Sequence, residues 1–186
     1  MMGYRRNKNE VVSFAALVLG CIMCMLGAIA PYWQDGKASY SSLTSHQHPN
    51  TSDDVSLQGG LWWYCYEKPD GGSRCDIYPA GENEGADWAV RLCVFINVIL
   101  TLFSSLAAMC RIFCQSVGRT ICQGIMAFIA GCFGFAVVGL FAYLSDGGYA
   151  MPLDGVTFDW AFYVYTVGCS LVTVTSAQLC FVHQLQ

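Results

Sequence analysis

Charge is what this sequence has least of. Asp, Glu, Lys and Arg make up 12% of its 186 residues, well below the roughly one quarter usual in a soluble domain. Four windows hold none at all: Val11–Gln34, Leu92–Cys110, Thr120–Ser145 and Trp160–Gln186. A membrane-crossing helix needs about 20 predominantly apolar residues. Backbone groups in lipid must be satisfied within their own segment, so such runs read as helices. Four of them in so short a chain exclude one soluble domain built on buried core helices, and predict a four-span membrane protein.

Base is scarcer still between the windows. Tyr32–Trp88 carries nine acids (Asp35, Asp53, Asp54, Glu67, Asp70, Asp76, Glu82, Glu84, Asp87) against Lys37, Lys68 and Arg74. The segment 146–159 adds Asp146, Asp154 and Asp159 with no base. Besides Arg91, which directly precedes the second window, the remaining cations gather elsewhere: Arg5, Arg6 and Lys8 precede the first window, and Arg111 and Arg119 flank the short link between the second and third. The positive-inside rule then places both termini and that link in the cytoplasm. One domain, 1–186, is expected, with spans at about 11–31, 89–111, 119–144 and 159–182 and extracellular loops at about 32–88 and 145–158. Arg5-Arg6 before an apolar run ending Ala28-Ile29-Ala30 also fits a cleavable signal peptide. The run is longer than a usual signal core and Pro31 follows the cut, so it is read as a retained span.

Sets of residues that do chemistry are missing too. The outer acids have no partnered His or nucleophile. His46-Gln47-His48 lies beside Pro49 without further convincing ligands for a metal. Gly147-Gly148 reads as a turn, not a phosphate cradle. No enzyme, cofactor, metal or nucleic-acid partner is expected.

What is present begins with eleven cysteines. Only Cys65 and Cys75 fall in an outer loop, an even number in an oxidising space, and they are read as a pair. Cys21, Cys24, Cys93, Cys110, Cys114, Cys122, Cys132, Cys169 and Cys180 lie within or beside spans. Cys21-x-x-Cys24 has redox-like spacing, but a thiol in mid-span behaves as a small apolar residue and is read as packing. Cys110, Cys114 and Cys180, near inner span ends, suit S-palmitoylation or plain helix packing.

Small residues recur on one face of span one (Ala16, Gly20, Cys24, Gly27) and of span three (Gly124, Ala127, Gly131, Gly134). Such spacing lets backbones approach closely where lipid removes the hydrophobic drive between helices. Thr166, Ser170, Thr173 and Gln178 are expected to hydrogen-bond between helices. Asn97 is read as a structural hydrogen bond to a neighbouring helix rather than part of an ion path. Tyr32, Trp33, Trp88, Tyr143, Tyr149, Phe158 and Trp160 collect at the outer span ends, as amphipathic rings do at an interface.

The first outer loop divides in two. Lys37–Gln58 is rich in Ser, Thr, Asp and His and reads as a flexible insertion. Leu61–Tyr66 and Cys75–Tyr78 read as strands joined through the Pro69-Asp70-Gly71-Gly72 turn. That puts Cys65 and Cys75 on neighbouring strands. Asn50-Thr51-Ser52 is a glycosylation sequon in this loop.

Trp33, then Gly60-Leu61-Trp62, Cys65 and Cys75, with Arg91 opening span two, resembles the signature of the claudin superfamily. That superfamily includes claudins, peripheral myelin and epithelial membrane proteins, the lens fibre membrane protein and calcium-channel γ subunits. The resemblance extends over nearly the whole chain in topology. It implies a left-handed four-helix transmembrane bundle crowned by an extracellular antiparallel β-sheet from the first loop. It also implies a Cys65–Cys75 disulfide, a sheet anchored by Trp33 and Trp62, and Arg91 tying the sheet to the top of span two. Two departures mark a divergent member. Trp33 and Trp62 are further apart than in a typical claudin, and Gln186 offers no apolar end for a PDZ scaffold.

Three functions follow from the resemblance. The first is a claudin-like plasma-membrane protein of cell–cell junctions, acting in adhesion or a paracellular barrier through like molecules in cis and trans. Its outer loops, with twelve acids and three bases, would favour cations, with Glu67, Asp70 and Asp76 as the charge-selective surface, or would simply keep the domain soluble. The second is an auxiliary subunit of a channel or receptor. The third is an organiser of myelin- or lens-type membrane.

Overall fold

In the computed structural model of the chain, which describes residues 8–39, 54–67, 72–78, 84–114, 120–145 and 154–182, the charge-free windows are helical. Helix α1 runs Lys8–Ile29, α2 Glu84–Cys114, α3 Thr120–Ser145 and α4 Trp160–Val182. Each contains a stretch long and apolar enough to cross a membrane. Helix α2 begins earlier than the expected span and has 31 residues, about 46 Å at the helical rise. That exceeds a hydrocarbon core of about 30 Å, so α2 reaches past it.

Polarity is arranged as lipid demands. Leu19, Ile22, Phe95, Ile99, Phe128, Ile129, Val167 and Val174 lie on exposed faces, while Asn97, Thr101, Ser104, Ser105 and Gln123 are buried among the helices. Apolar surface outside and polar groups inside is the reverse of a soluble bundle, and the chain is a multi-pass membrane protein.

Helix α4 is the hub. A Cβ at Gly27 would stand 2.7 Å from the Tyr165 Cβ, and one at Gly20 2.9 Å from a Val172 methyl. On the other side Gly124, Gly131 and Gly134 leave room for Cys180, Thr173 and Cys169. The small-residue faces of α1 and α3 thus both turn to α4, where dispersion at close approach holds the bundle.

Hydroxyl groups of α4 depart from expectation. Thr166, Ser170 and Thr173 donate to Phe162 O, Thr166 O and Cys169 O of their own helix, at 2.8, 2.9 and 2.9 Å, while Gln178 is exposed. A short hydroxyl reaches the carbonyl four residues back more readily than a neighbouring helix. The links between helices come from elsewhere. Asn97 Nδ2 donates to Ala130 O at 2.7 Å and Asn97 Oδ1 accepts from Tyr165 Oη at 3.1 Å, joining α2, α3 and α4. Ser104 Oγ donates to Gln123 O at 3.2 Å.

At one end of the bundle lies a five-stranded antiparallel sheet: β1 Gln34–Ser39, β2 Asp54–Gly59, β3 Trp63–Glu67, β4 Ser73–Ile77 and β5 Asp154–Phe158, in the order β4-β3-β2-β1-β5. Two expectations need correction. The stretch Lys37–Gln58 is strand at both ends, because Val55 and Leu57 alternate with Ser56 and Gln58 and bury their apolar side chains. The sheet is also not made from the first loop alone, since β5 comes from the segment before α4 and pairs with β1. There Gly155 and Val156 stand opposite Gly36 alone. Gly155 has φ of 67°, the left-handed conformation that a bulge asks of glycine.

Candidate functional site

The candidate site is the sheet together with its seat on the end of the bundle, where Trp33, Trp62 and Arg91 gather. Helix α1 ends at Ile29, leaving its last four carbonyls without helical partners. Ala30 N–H bonds Leu26 O at 3.1 Å. The next two are taken by indoles. Trp33 Nε1 donates to Gly27 O at 2.6 Å and Trp62 Nε1 to Ala28 O at 2.7 Å. Two tryptophans 29 residues apart in sequence therefore cap one helix end.

Trp33 is fully buried. Its ring meets those of Phe141, Tyr165 and Phe162 at 4.8, 5.1 and 5.8 Å, so α3 and α4 supply its cage. Its main chain joins three elements: Trp33 N–H bonds Gly59 O at 2.9 Å, and Trp33 O accepts from Asp159 N–H at 3.0 Å. The start of β1, the end of β2 and the approach to α4 are fastened at one residue.

Gly60-Leu61-Trp62 now has a physical reading at each position. A Cβ on Gly60 would lie 2.7 Å from both Ala30 O and Pro31 Cα, so only glycine lets the sheet approach the end of α1. Leu61 is fully buried, and its carbonyl accepts from Arg91 Nε at 3.1 Å. Trp62 packs on Phe95 of α2 at 5.1 Å between ring centres. The Arg91 guanidinium sits 5.8 Å from the Trp62 ring centre and 6.0 Å from that of Trp88, within cation–π range.

Cys65 and Cys75 face each other across β3 and β4 and are disulfide-bonded. They lie on the opposite face from Tyr64 and Tyr66, which are buried, with Tyr64 also 5.3 Å from the Tyr78 ring. Burial, then the nearby charge of Asp76 and then Tyr66, push the Tyr64 phenol above its ordinary value.

The acidic residues are not equivalent. Asp76 forms a 2.9 Å ion pair with Arg74 along β4, and the Asp76 hydrogen bond raises the already high Arg74 pKa. Glu67, at the end of β3, is exposed and makes no ion pair among the described residues. Asp35 is half-buried on β1. Glu67 thus carries a charge that no ion pair among the described residues offsets.

Other positions read from the sequence are spread through the molecule. Cys110 is exposed on α2. Cys180 is half-buried against Gly124, in the α3–α4 seam. Cys21 and Cys24 are buried in the bundle. Asn50, His46, His48, Asp70, Gly147 and Gly148, together with the Cys114 side chain, lie outside the described residues. Sequence reasoning missed the carbonyl acceptors at Gly27, Ala28 and Leu61 and the Phe141–Phe162–Tyr165 cage. No local signal marks a carbonyl as an acceptor. The helical spacing of Phe162, Tyr165, Cys169 and Val172 was the legible trace of the cage.

The chain matches no model of a known protein family. No curated protein is significantly similar to it.

Proposed function

We propose that this chain is a divergent claudin-like protein of the plasma membrane that acts at cell–cell contacts, in adhesion or a paracellular barrier. The left-handed winding of the bundle and the extracellular placement of the sheet belong to this reading. The observation that carries it is the double indole cap. Trp33 and Trp62 bind the carbonyl end of α1, and Arg91 holds Leu61 from α2. A sheet fastened at three points and clipped by a disulfide keeps its face in one orientation relative to the membrane. A surface meant to meet the same surface on a neighbouring cell needs that rigidity. The contact is with like molecules, in cis and in trans.

The test is a mixed culture of expressing and non-expressing cells in contact. Enrichment only where two expressing cells meet supports trans adhesion. An even distribution over the surface overturns it in favour of an auxiliary subunit, to be identified by what co-purifies.

Cation preference is part of this reading, and it makes a residue-level prediction. Because Asp76 is already paired with Arg74 and Glu67 makes no ion pair among the described residues, Glu67→Lys should lower the sodium-to-chloride permeability ratio of an epithelial layer more than Asp76→Lys. Equal ratios in the parent and both variants would leave the acids as solubilising charge alone.

A further inference from the structure

Two thiols lie in the core of the bundle that continues beneath the seat of the sheet. Cys24 of α1 and Cys169 of α4 are each fully buried, with sulfur atoms 3.8 Å apart. The helices meet here at glycine. A Cβ on Gly168 would stand 2.9 Å from the Cys24 nitrogen and 3.0 Å from its sulfur. The Cys169 sulfur fills the notch left by Gly134 of α3, with the Asn97 amide beside it. Glycine backbone thus flanks both sulfurs, Gly168 beside Cys24 and Gly134 beside Cys169. Their position is also defined along the bundle. Cys24 precedes the end of α1 by five residues and Cys169 follows the start of α4 by nine, depths of about 7 and 13 Å at the helical rise. The pair lies beneath the sheet, in the half of the bundle that carries the Trp33 cage.

We propose that Cys24 and Cys169 are a reversible oxidation site, converted by a small hydroperoxide to a disulfide that staples α1 to α4. One sulfur attacks the terminal peroxide oxygen and the O–O bond breaks. This gives a sulfenic acid and an alkoxide, which takes up the thiol proton as alcohol. The second sulfur then attacks the sulfenic sulfur, and hydroxide leaves with the second thiol proton as water. Two thiols and one hydroperoxide give one disulfide, one alcohol and one water; the sulfurs lose two electrons and the peroxide gains them. A sulfenic acid condenses with any thiol in reach, and here that thiol is already in contact. Bonding requires the sulfurs to close from 3.8 Å to about 2.05 Å. Because Gly27 and the Tyr165 side of the Trp33 cage ride on these same two helices, the staple would hold the seat of the sheet as well.

The experiment uses the full chain in lipid nanodiscs, treated with tert-butyl hydroperoxide, denatured, blocked with N-ethylmaleimide, proteolysed and read by mass spectrometry. The expected product is a peptide pair joined through Cys24 and Cys169, lost on reduction and absent from Cys24→Ser and Cys169→Ser. The Cys65–Cys75 linkage, read in every unreduced sample, reports that the outer sheet formed in each variant. The melting temperature of the treated parent should rise by a few degrees, and that of Cys169→Ser should not. The proposal is overturned if Cys24 and Cys169 both remain alkylatable at a dose that oxidises the exposed Cys110. Linkage of Cys24 to another cysteine would overturn it equally, as would cross-linking with no rise in melting temperature.

Discussion

Substituting Gly60 by alanine tests how the sheet is seated. The new Cβ would lie 2.7 Å from Ala30 O and from Pro31 Cα, and both are backbone atoms that no rotamer change can move aside. Either the end of α1 or the sheet must shift. Inserting a methyl into so tight a contact costs about 1–3 kcal/mol. A shift of roughly an ångström would also break the indole bonds of Trp33 and Trp62, now 2.6 and 2.7 Å long, at about 1 kcal/mol each. The sum is about 3–5 kcal/mol, a large part of the usual stability of about 5–15 kcal/mol. Melting followed by size-exclusion fluorescence in detergent should fall by roughly 10 °C, with less protein delivered to the cell surface. Gly139 is the control: it lies on an exposed face of α3 and a Cβ there meets nothing within 4 Å. Gly139→Ala should leave the melting point unchanged or raise it, since alanine favours helix by up to about 1 kcal/mol. If Gly60→Ala melts with the parent, or Gly139→Ala falls equally far, steric exclusion at the seat is not the reason for glycine at position 60.

Three further outcomes are expected. Replacing Cys65 and Cys75 together by serine opens a loop whose ends are 10 residues apart; the loss should be about 2–3 kcal/mol, measured as the melting-point difference between double variant and parent in the absence of reductant. Asn97→Leu removes the bonds to Ala130 O and Tyr165 Oη, and at about 0.6 kcal/mol for each intramembrane bond should cost about 1–2 kcal/mol in reversible unfolding from mixed micelles; no change would mean that this network is energetically idle. Tyr64 has a folded-state pKa raised above its ordinary 10.0, so its contribution to stability is complete below pH of about 10 and is lost as the pH climbs through the folded value. Phenolate absorbance at alkaline pH, parent minus Tyr64→Phe, should titrate later than free tyrosine, and a midpoint at or below the ordinary value would contradict the burial of this ring.

Much of this was legible from residue spacing. Span identities followed from the missing charges, and the helical ladders of small residues marked which faces of α1 and α3 pack closely. Strands β3 and β4, and the pairing of their cysteines, followed from aromatic and β-branched runs on either side of a turn. Strand β2 was hidden because Val55 and Leu57 are only two apolar residues in a polar stretch, too few for period two to stand out. Strand β5 was hidden because Asp154–Phe158 acquires its partner only when β1 is brought beside it. The threonines and serines of α4 were misread because sequence gives a hydroxyl no direction, whereas the geometry of a helix offers it a carbonyl four residues back.

The sequence by itself determined that the chain crosses a membrane four times, because the cost of charge and of unsatisfied backbone in lipid acts locally on each segment. It also determined that one loop carries a covalent clip and most of the acid. Only the tertiary structure decided what Trp33 and Trp62 are for. Their indole hydrogens stabilise a helix end whose carbonyls become acceptors only after α1 stops at Ile29 and β2 turns back through Gly60. It alone also brought Cys24 and Cys169, 145 residues apart, into contact. Hydrophobicity is a property of a segment, whereas a hydrogen bond or a thiol contact between distant segments exists only once their relative positions have been set.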